Sequence, residues 1–197
     1  MAEFTSSDEL LLMCRNLALL LLSCSLLMTV PGCKKRETPP PKPRDVCGLI
    51  TVDEIQTIQG SPMRETKNSA RSDGGFLVSQ CFYTATEFSK SVNLAAVQRD
   101  PDHPGKRSPR DFWKEKFDPY QNEEPKTEKG EEKEQGPAPK KIERLGDDAY
   151  WIINRFGGIL YVLKGDAFIS VGIGGTDDEE TKLEKSKVLA KKALQRL

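Results

Sequence analysis

The chain has 197 residues, and its 30 lysines and arginines are balanced by 30 aspartates and glutamates. A neutral chain has no basic excess for a phosphate backbone, so nucleic acid is not an expected partner. Hydrophobic residues make up 37% of the sequence. This low share is explained by two polar stretches, and the length fits one domain with non-globular segments.

The chain begins with features of an export signal. The apolar run over residues 17–30 is shorter than the roughly 20 residues of a membrane-spanning helix, and it fits the core of a signal peptide. It ends in Val-Pro-Gly-Cys, which resembles a lipobox, where cleavage precedes the cysteine and its thiol carries diacylglycerol. We predict a signal peptide over residues 1–32 and lipidation at Cys33. An uncleaved anchor helix and an unanchored protein are the alternatives.

The start of translation is predicted at Met13. Asp8 and Glu9 put negative charge where a signal peptide carries positive charge, whereas a start at Met13 places Arg15 directly before the apolar run.

Residues 33–46 are predicted to be a tether. Their basic cluster Lys-Lys-Arg suits acidic lipid headgroups, and their prolines favour extended polyproline II. The lipid would hold the protein at the outer membrane facing the periplasm, or at the outer face of the cytoplasmic membrane.

The five cysteines of the chain leave one pair for the domain. Two precede Cys33 in the predicted signal peptide, so Cys47 and Cys81 remain, and a disulfide is expected in an oxidising compartment. A redox role is disfavoured because there is no C-x-x-C motif. A zinc site is disfavoured because these cysteines and the single histidine, His103, do not supply four ligands.

The first half of the domain is predicted to contain one helix and a hairpin. Thr51 to Glu54 form a capping box that starts a helix closed by Gly60. Residues 68–75 are predicted to be a polar loop. Apolar alternation predicts strands over residues 76–84 and 91–98.

The second half begins with a helix capped by Ser108, with Pro109 in its first turn. Residues 118–141 are predicted to be a mobile insertion rich in Lys, Glu and Pro. Strands over residues 148–154, 159–163 and 167–173 form a meander, and a second capping box at Thr176 opens a helix to Leu197.

These elements predict a single α+β domain over residues 47–197. We expect about five antiparallel strands, with helices packed on one face of the sheet.

Three motifs resemble a recurring bacterial lipoprotein domain of unknown function. They are CGLITVDE from Cys47 to Glu54, Cys-Phe-Tyr at Cys81, and LGDDAY ending at Tyr150. The resemblance covers residues 47–100 and 142–197. It implies a Cys47–Cys81 disulfide and a location in the cell envelope, and it supplies no catalytic residues.

No set of residues in the sequence predicts catalysis, a metal or a cofactor. His103 lies in a loop beside Asp100 and Asp102, where a solvated turn is the simpler interpretation and a metal site the alternative. The acidic stretch from Asp177 to Glu180 is explained by helix capping.

Aromatic residues are the remaining candidates for recognition. We weigh core packing against partner contact for them, and the helix over residues 112–120 is the favoured contact surface. The candidate contacts are Phe112, Trp113, Tyr120 and Trp151.

The sequence therefore favours a non-enzymatic envelope lipoprotein that binds or senses a partner protein or a ligand. An accessory or scaffold subunit of an envelope complex and a hydrolase with an unrecognised site are the alternative hypotheses.

Overall fold

The computed structural model describes residues 45–120, 137–154 and 157–197. The predicted signal peptide, Cys33 and nearly all of the tether lie outside these residues, as do residues 121–136 of the predicted insertion, so these assignments stay predictions. No helix in the described ranges is long and apolar enough to cross a membrane.

The described residues form seven strands and three α-helices, together with short 3₁₀ turns. The strands are β1 (Met63–Asp73), β2 (Phe76–Ala85), β3 (Val92–Arg99), β4 (Lys140–Lys141), β5 (Asp148–Asn154), β6 (Gly157–Lys164) and β7 (Ala167–Ile173). The helices are α1 (Val52–Gln59), α2 (Pro109–Phe117) and α3 (Glu179–Arg196).

All seven strands belong to one antiparallel sheet in the order β1-β2-β3-β7-β6-β5-β4. The pairing of β3 with β7 joins an N-terminal meander to a C-terminal one. The predicted α+β class is confirmed, and the sheet is larger than the five strands expected. The additional strands are β1 and β4, at the two edges.

The prediction of a polar loop over residues 68–75 is wrong. These residues belong largely to β1, which pairs with β2 continuously from Glu65 to Asp73 and, after a register shift, at Met63. Except for Met63, its side chains are exposed. An edge strand with no buried face shows no apolar alternation, and the sequence pattern therefore could not reveal it.

One face of the sheet packs against α1 and α3 to form the main core. Residues from β3, β5, β6 and β7 meet apolar side chains of both helices there. The largest buried members of this core include Trp151, Tyr83, Leu94, Leu160, Ile169 and Leu189.

The opposite face packs against α2, which corrects the prediction of helices on one face only. Tyr150 and Trp151 are neighbours on β5, point to opposite faces and are both 1% exposed. Tyr150 packs with Trp113 and Phe117 of α2 in a second cluster. Large apolar side chains on both faces of β5 explain why helices pack on both sides of the sheet there.

Two of the three predicted helix starts are confirmed. Thr51 Oγ1 accepts from the Glu54 N–H at 3.2 Å, and Ser108 caps α2 in the same way, with Pro109 in the first turn. The third is displaced, since α3 is capped by Asp178 instead of Thr176. The Asp178 carboxylate accepts both the N–H and the hydroxyl of Thr181.

Cys47 and Cys81 form the predicted disulfide, with a Cα–Cα distance of 5.2 Å. It joins the 3₁₀ turn Val46–Gly48 to the centre of β2. The Tyr83 hydroxyl fixes the same segment by donating to the carbonyl oxygens of Ile50 at 3.0 Å and Cys47 at 3.1 Å. Burial raises the pKa of Tyr83 to about 12, so this hydroxyl stays a donor at physiological pH.

Candidate interaction surface

Stacked aromatic rings hold α2 against the sheet. The Phe117 ring lies parallel to that of Tyr150 at 4.6 Å, and the Phe112 ring lies parallel to that of Phe168 at 5.9 Å. Trp113 packs between them, 4.4 Å from Phe117. Phe112 and Trp113, two of the candidate contact residues, therefore pack against the sheet.

Polar contacts fix the same helix at its rim. The Trp113 indole N–H donates to Asp148 at 3.0 Å, and the Arg110 guanidinium pairs with Asp147 and donates to the Gly165 carbonyl at 2.9 Å. The Gly165 N–H and then Arg110 lower the pKa of Asp147. A stabilised carboxylate of this kind anchors a helix, and it is a poor proton donor near neutral pH.

A cleft of about 380 Å³ lies beside these contacts. Its lining includes Lys114, Lys141, Asp147 and Asp148. Both aspartates already accept hydrogen bonds from Trp113, Arg110 or the backbone. In the described ranges, no group of three His, Cys, Asp or Glu side chains could hold a metal ion.

Beyond α2, the same face of the sheet carries no helix among the described residues. Strand registers place one row of side chains from Phe82 across Asn93, Gly172 and Ile159 to Ile152, with a second row from Ala95 to Tyr161 beside it. All are half-buried. We call this surface the open face, defined by Phe82, Asn93, Ala95, Ile152, Ile159, Tyr161, Ser170 and Gly172.

The open face is a shallow trough. Its centre is low because the side chains there are small, at Ala95, Ser170 and Gly172. A cleft of about 330 Å³ lies between Phe82 and Ile159 at one end. Small side chains flanked by larger apolar ones leave space for a side chain of a partner. The trough offers contact area and amide and hydroxyl groups for hydrogen bonds, and it presents no nucleophile–base pair.

Two exposed groups stand at the rim of the open face. Phe88 is 68% exposed, and its ring lies 6.4 Å from Phe82. Lys116 Nζ lies 5.6 Å from the ring of Tyr161. Burial raises the pKa of the Tyr161 phenol, which keeps its proton. The rim thus adds an aromatic ring and a cation to the trough.

The structure corrects the candidate contact residues of the sequence. Trp113 and Trp151 are each 1% exposed and are core residues. The Trp151 indole N–H donates to Glu179 at 3.1 Å, which links β5 to the start of α3. Phe112 is half-buried under its stacking partners, whereas Tyr120 is 42% exposed. Alternation along a strand could not show that both faces would be covered.

Phe82 and Phe88 belong to this surface, although the sequence pattern did not predict them as contact residues. Phe82 lies in a strand of apolar residues, whose pattern does not tell which face remains uncovered. Phe88 stands alone between polar residues in the connection from β2 to β3. This isolated position in a polar connection was the feature of the sequence that could have indicated an exposed aromatic ring.

His103 and Asp100 form a turn. The Asp100 side chain is buried, and its Oδ1 accepts from the N–H groups of Asp102 at 2.9 Å and His103 at 3.2 Å. The His103 ring is 78% exposed and lies 3.6 Å from the Asp100 carboxylate. Hydrogen bonds from Ser72 and these N–H groups lower the pKa of Asp100. Its role is to close the loop after β3.

No family model, curated protein or solved structure matches this chain. The likeness of the cysteine motifs to exported lipoproteins therefore remains a resemblance, and the functional argument depends on the geometry described above.

Proposed function

We propose that this chain is a lipid-anchored protein of the cell envelope that binds a partner protein through the open face. The observation that carries the proposal is the half-buried row from Phe82 to Ile152, in which Phe82 and Ile159 flank a cleft of about 330 Å³ that no helix among the described residues covers. Uncovered apolar patches with a polar rim are typical of interaction sites.

The disulfide supports export. Disulfides persist outside the reducing cytoplasm, and Cys47 and Cys81 are bonded to each other in the folded domain. The apolar run before Cys33 and the lipobox-like Val-Pro-Gly-Cys agree with this location. Together they favour attachment by acyl chains on Cys33.

The rim of the open face indicates the chemistry of the partner. Within the described residues Lys116 lies over the rings of Phe117 and Tyr161 and takes part in no ion pair, and the Phe88 side chain is 68% exposed. A partner segment that inserts an apolar side chain between Phe82 and Ile159 and places a carboxylate near Lys116 would complement both the apolar rings and the positive charge. The partner is therefore a protein with an apolar segment next to an acidic residue.

Palmitate labelling tests the anchor. Cells that produce the wild-type protein should incorporate labelled palmitate into it, and Cys33→Ser should abolish the label and release the protein from the membrane fraction. A Cys33→Ser variant that retains the label would contradict lipidation at this residue.

Site-specific photocrosslinking in intact cells tests the open face. A photoreactive amino acid at Phe88 should give one defined adduct, and the substitution Ile159→Asp should suppress it. The matched control is Val188, which is 43% exposed on α3, on the opposite side of the sheet. The same adducts at Phe88 and Val188, or a Phe88 adduct that survives Ile159→Asp, would overturn the assignment of this surface.

A further inference from the structure

Strand β1 forms a long free edge of the sheet. It spans 11 residues, and within the described residues its hydrogen-bonding neighbour is β2 alone. Its outer backbone donors and acceptors are therefore available to another strand. Such an edge favours association with a further strand, provided that the side chains allow it.

We propose that β1 pairs antiparallel with β1 of a second copy of this chain, with the two-fold axis at Asn68. The sheets of both copies then continue across the axis as one sheet. This interface is separate from the open face, and it adds self-association to partner binding.

The charges along β1 favour this register. A two-fold axis at Asn68 places Glu65 of each copy opposite Arg71 of the other. Opposite charges in directly facing positions stabilise antiparallel pairs. The other facing pairs in the regular part of the strand are Thr66 with Ala70 and Lys67 with Ser69, and neither brings like charges together. The register of β1 shifts between Met63 and Glu65, so the regular pairing ends at Glu65.

Neighbouring registers are disfavoured. An axis at Lys67 would place this residue opposite its own copy, and an axis at Ser69 would place Glu65 opposite Asp73. Axes farther from the centre would leave the ends of both strands unpaired. In the single chain these charged side chains form two exposed ion pairs, Lys67 with Glu65 at 3.4 Å and Arg71 with Asp73 at 3.7 Å. Exposed ion pairs contribute little to stability, so these can rearrange at little cost.

The position of Asp45, near the end of the predicted tether, is compatible with such a dimer. Asn68 Nδ2 donates to Asp45, the first described residue, at 3.4 Å. A two-fold axis perpendicular to the sheet keeps both copies of Asp45 on the same side. Both lipid anchors, which rest on the proposed function, could then enter one membrane, and membrane confinement would raise the effective concentration of the strands.

Cysteine crosslinking of the full-length protein in isolated membranes tests the pairing. Thr66→Cys and Ala70→Cys, coexpressed, should give a disulfide-linked dimer on mild oxidation, because directly facing residues lie within disulfide distance. These positions lie opposite Tyr83 and Ser79 and avoid Asn68, which faces the disulfide-bonded Cys81. Each variant produced alone is the matched control, since two copies of the same residue would lie about 13 Å apart along the strands and should stay monomeric.

A charge exchange provides a second test that does not depend on a new thiol pair alone. Arg71→Glu added to both the Thr66→Cys and the Ala70→Cys chains should weaken association about tenfold through two facing like-charge pairs. Adding Glu65→Arg should restore the crosslink, which a folding defect would not do.

No crosslink between Thr66→Cys and Ala70→Cys, equal crosslinking by either variant alone, or a charge exchange without rescue would overturn the dimer. Palmitate labelling of the same membranes separates this failure from that of the proposed function. A labelled protein that does not crosslink contradicts the dimer alone, whereas an unlabelled one contradicts the anchor.

Discussion

At the residue scale, Gly158 leaves the least space for a side chain among the described glycines. Gly158 on β6 lies under the indole ring of Trp151, and a Cβ atom at this position would stand 1.7 Å from Trp151 Cζ2. The ring cannot move aside easily, since it is 1% exposed and its N–H donates to Glu179. The glycine is required here for space between the strand and the ring.

We expect Gly158→Ala to lower the free energy of unfolding by about 2 kcal/mol, because the added methyl group overpacks the core. Denaturant titration of the purified protein measures this change. Gly172→Ala is the matched control, since its Cβ would meet nothing closer than Ile159 Cγ1 at 3.9 Å. Equal effects of the two substitutions would contradict the steric explanation.

At the scale of elements, Glu54 joins the first helix to the last. It closes the capping box of α1 by accepting from the Thr51 N–H at 2.9 Å. The same carboxylate accepts from the Arg196 guanidinium at 2.8 and 2.9 Å and from Lys192 at 3.1 Å. Arg196 and then these other contacts hold the pKa of Glu54 well below its usual value, against the opposing effect of burial.

The lowered pKa of Glu54 predicts a pH dependence of stability. A carboxylate with a depressed folded-state pKa stabilises the fold above its usual pKa of about 4.5, and this contribution is lost as the pH falls below that value. We expect Glu54→Gln, which keeps the capping geometry, to cost about 1 kcal/mol at pH 7.

The difference between wild type and Glu54→Gln should shrink progressively below pH 4.5 in denaturant titrations at a series of pH values. Glu184→Gln on the exposed side of α3 serves as control and should change stability little. A difference that persists unchanged at low pH would rule out the charge as its cause.

At the scale of the whole molecule, one crosslink ties the start of the domain to its sheet. The disulfide spans a sequence separation of 34 residues and encloses α1, β1 and the turn into β2. β1 makes few apolar contacts because its side chains are largely exposed. The disulfide therefore restricts a segment that has little contact with the hydrophobic core.

Removal of the disulfide by Cys47→Ser with Cys81→Ser should lower the free energy of unfolding by about 4 kcal/mol, mainly by relaxing the unfolded chain. Denaturant titrations with and without reductant measure this loss. Reductant should destabilise the wild type by a similar amount and leave the double variant unchanged. A wild type that is insensitive to reductant would show that the crosslink contributes little to stability.

The sequence by itself determined the local structure and the pairing of the two cysteines. Capping at Thr51 and Ser108, the hairpin from β2 to β3 and the meander of β5 to β7 follow from interactions between residues close in the chain. Cysteine counting left Cys47 and Cys81 as the pair, and the structure bonds them.

The tertiary structure alone decided which surfaces are covered. Strand alternation puts Tyr150 and Trp151 on opposite faces, but it does not say that α2 covers one face while α1 and α3 cover the other, so that both residues are buried. It also cannot identify β1, whose strand conformation comes from pairing with β2 rather than from an apolar pattern. The burial of a sheet face by a helix and the pairing of two strands both depend on contacts between residues distant in the chain. Local sequence patterns therefore cannot predict them.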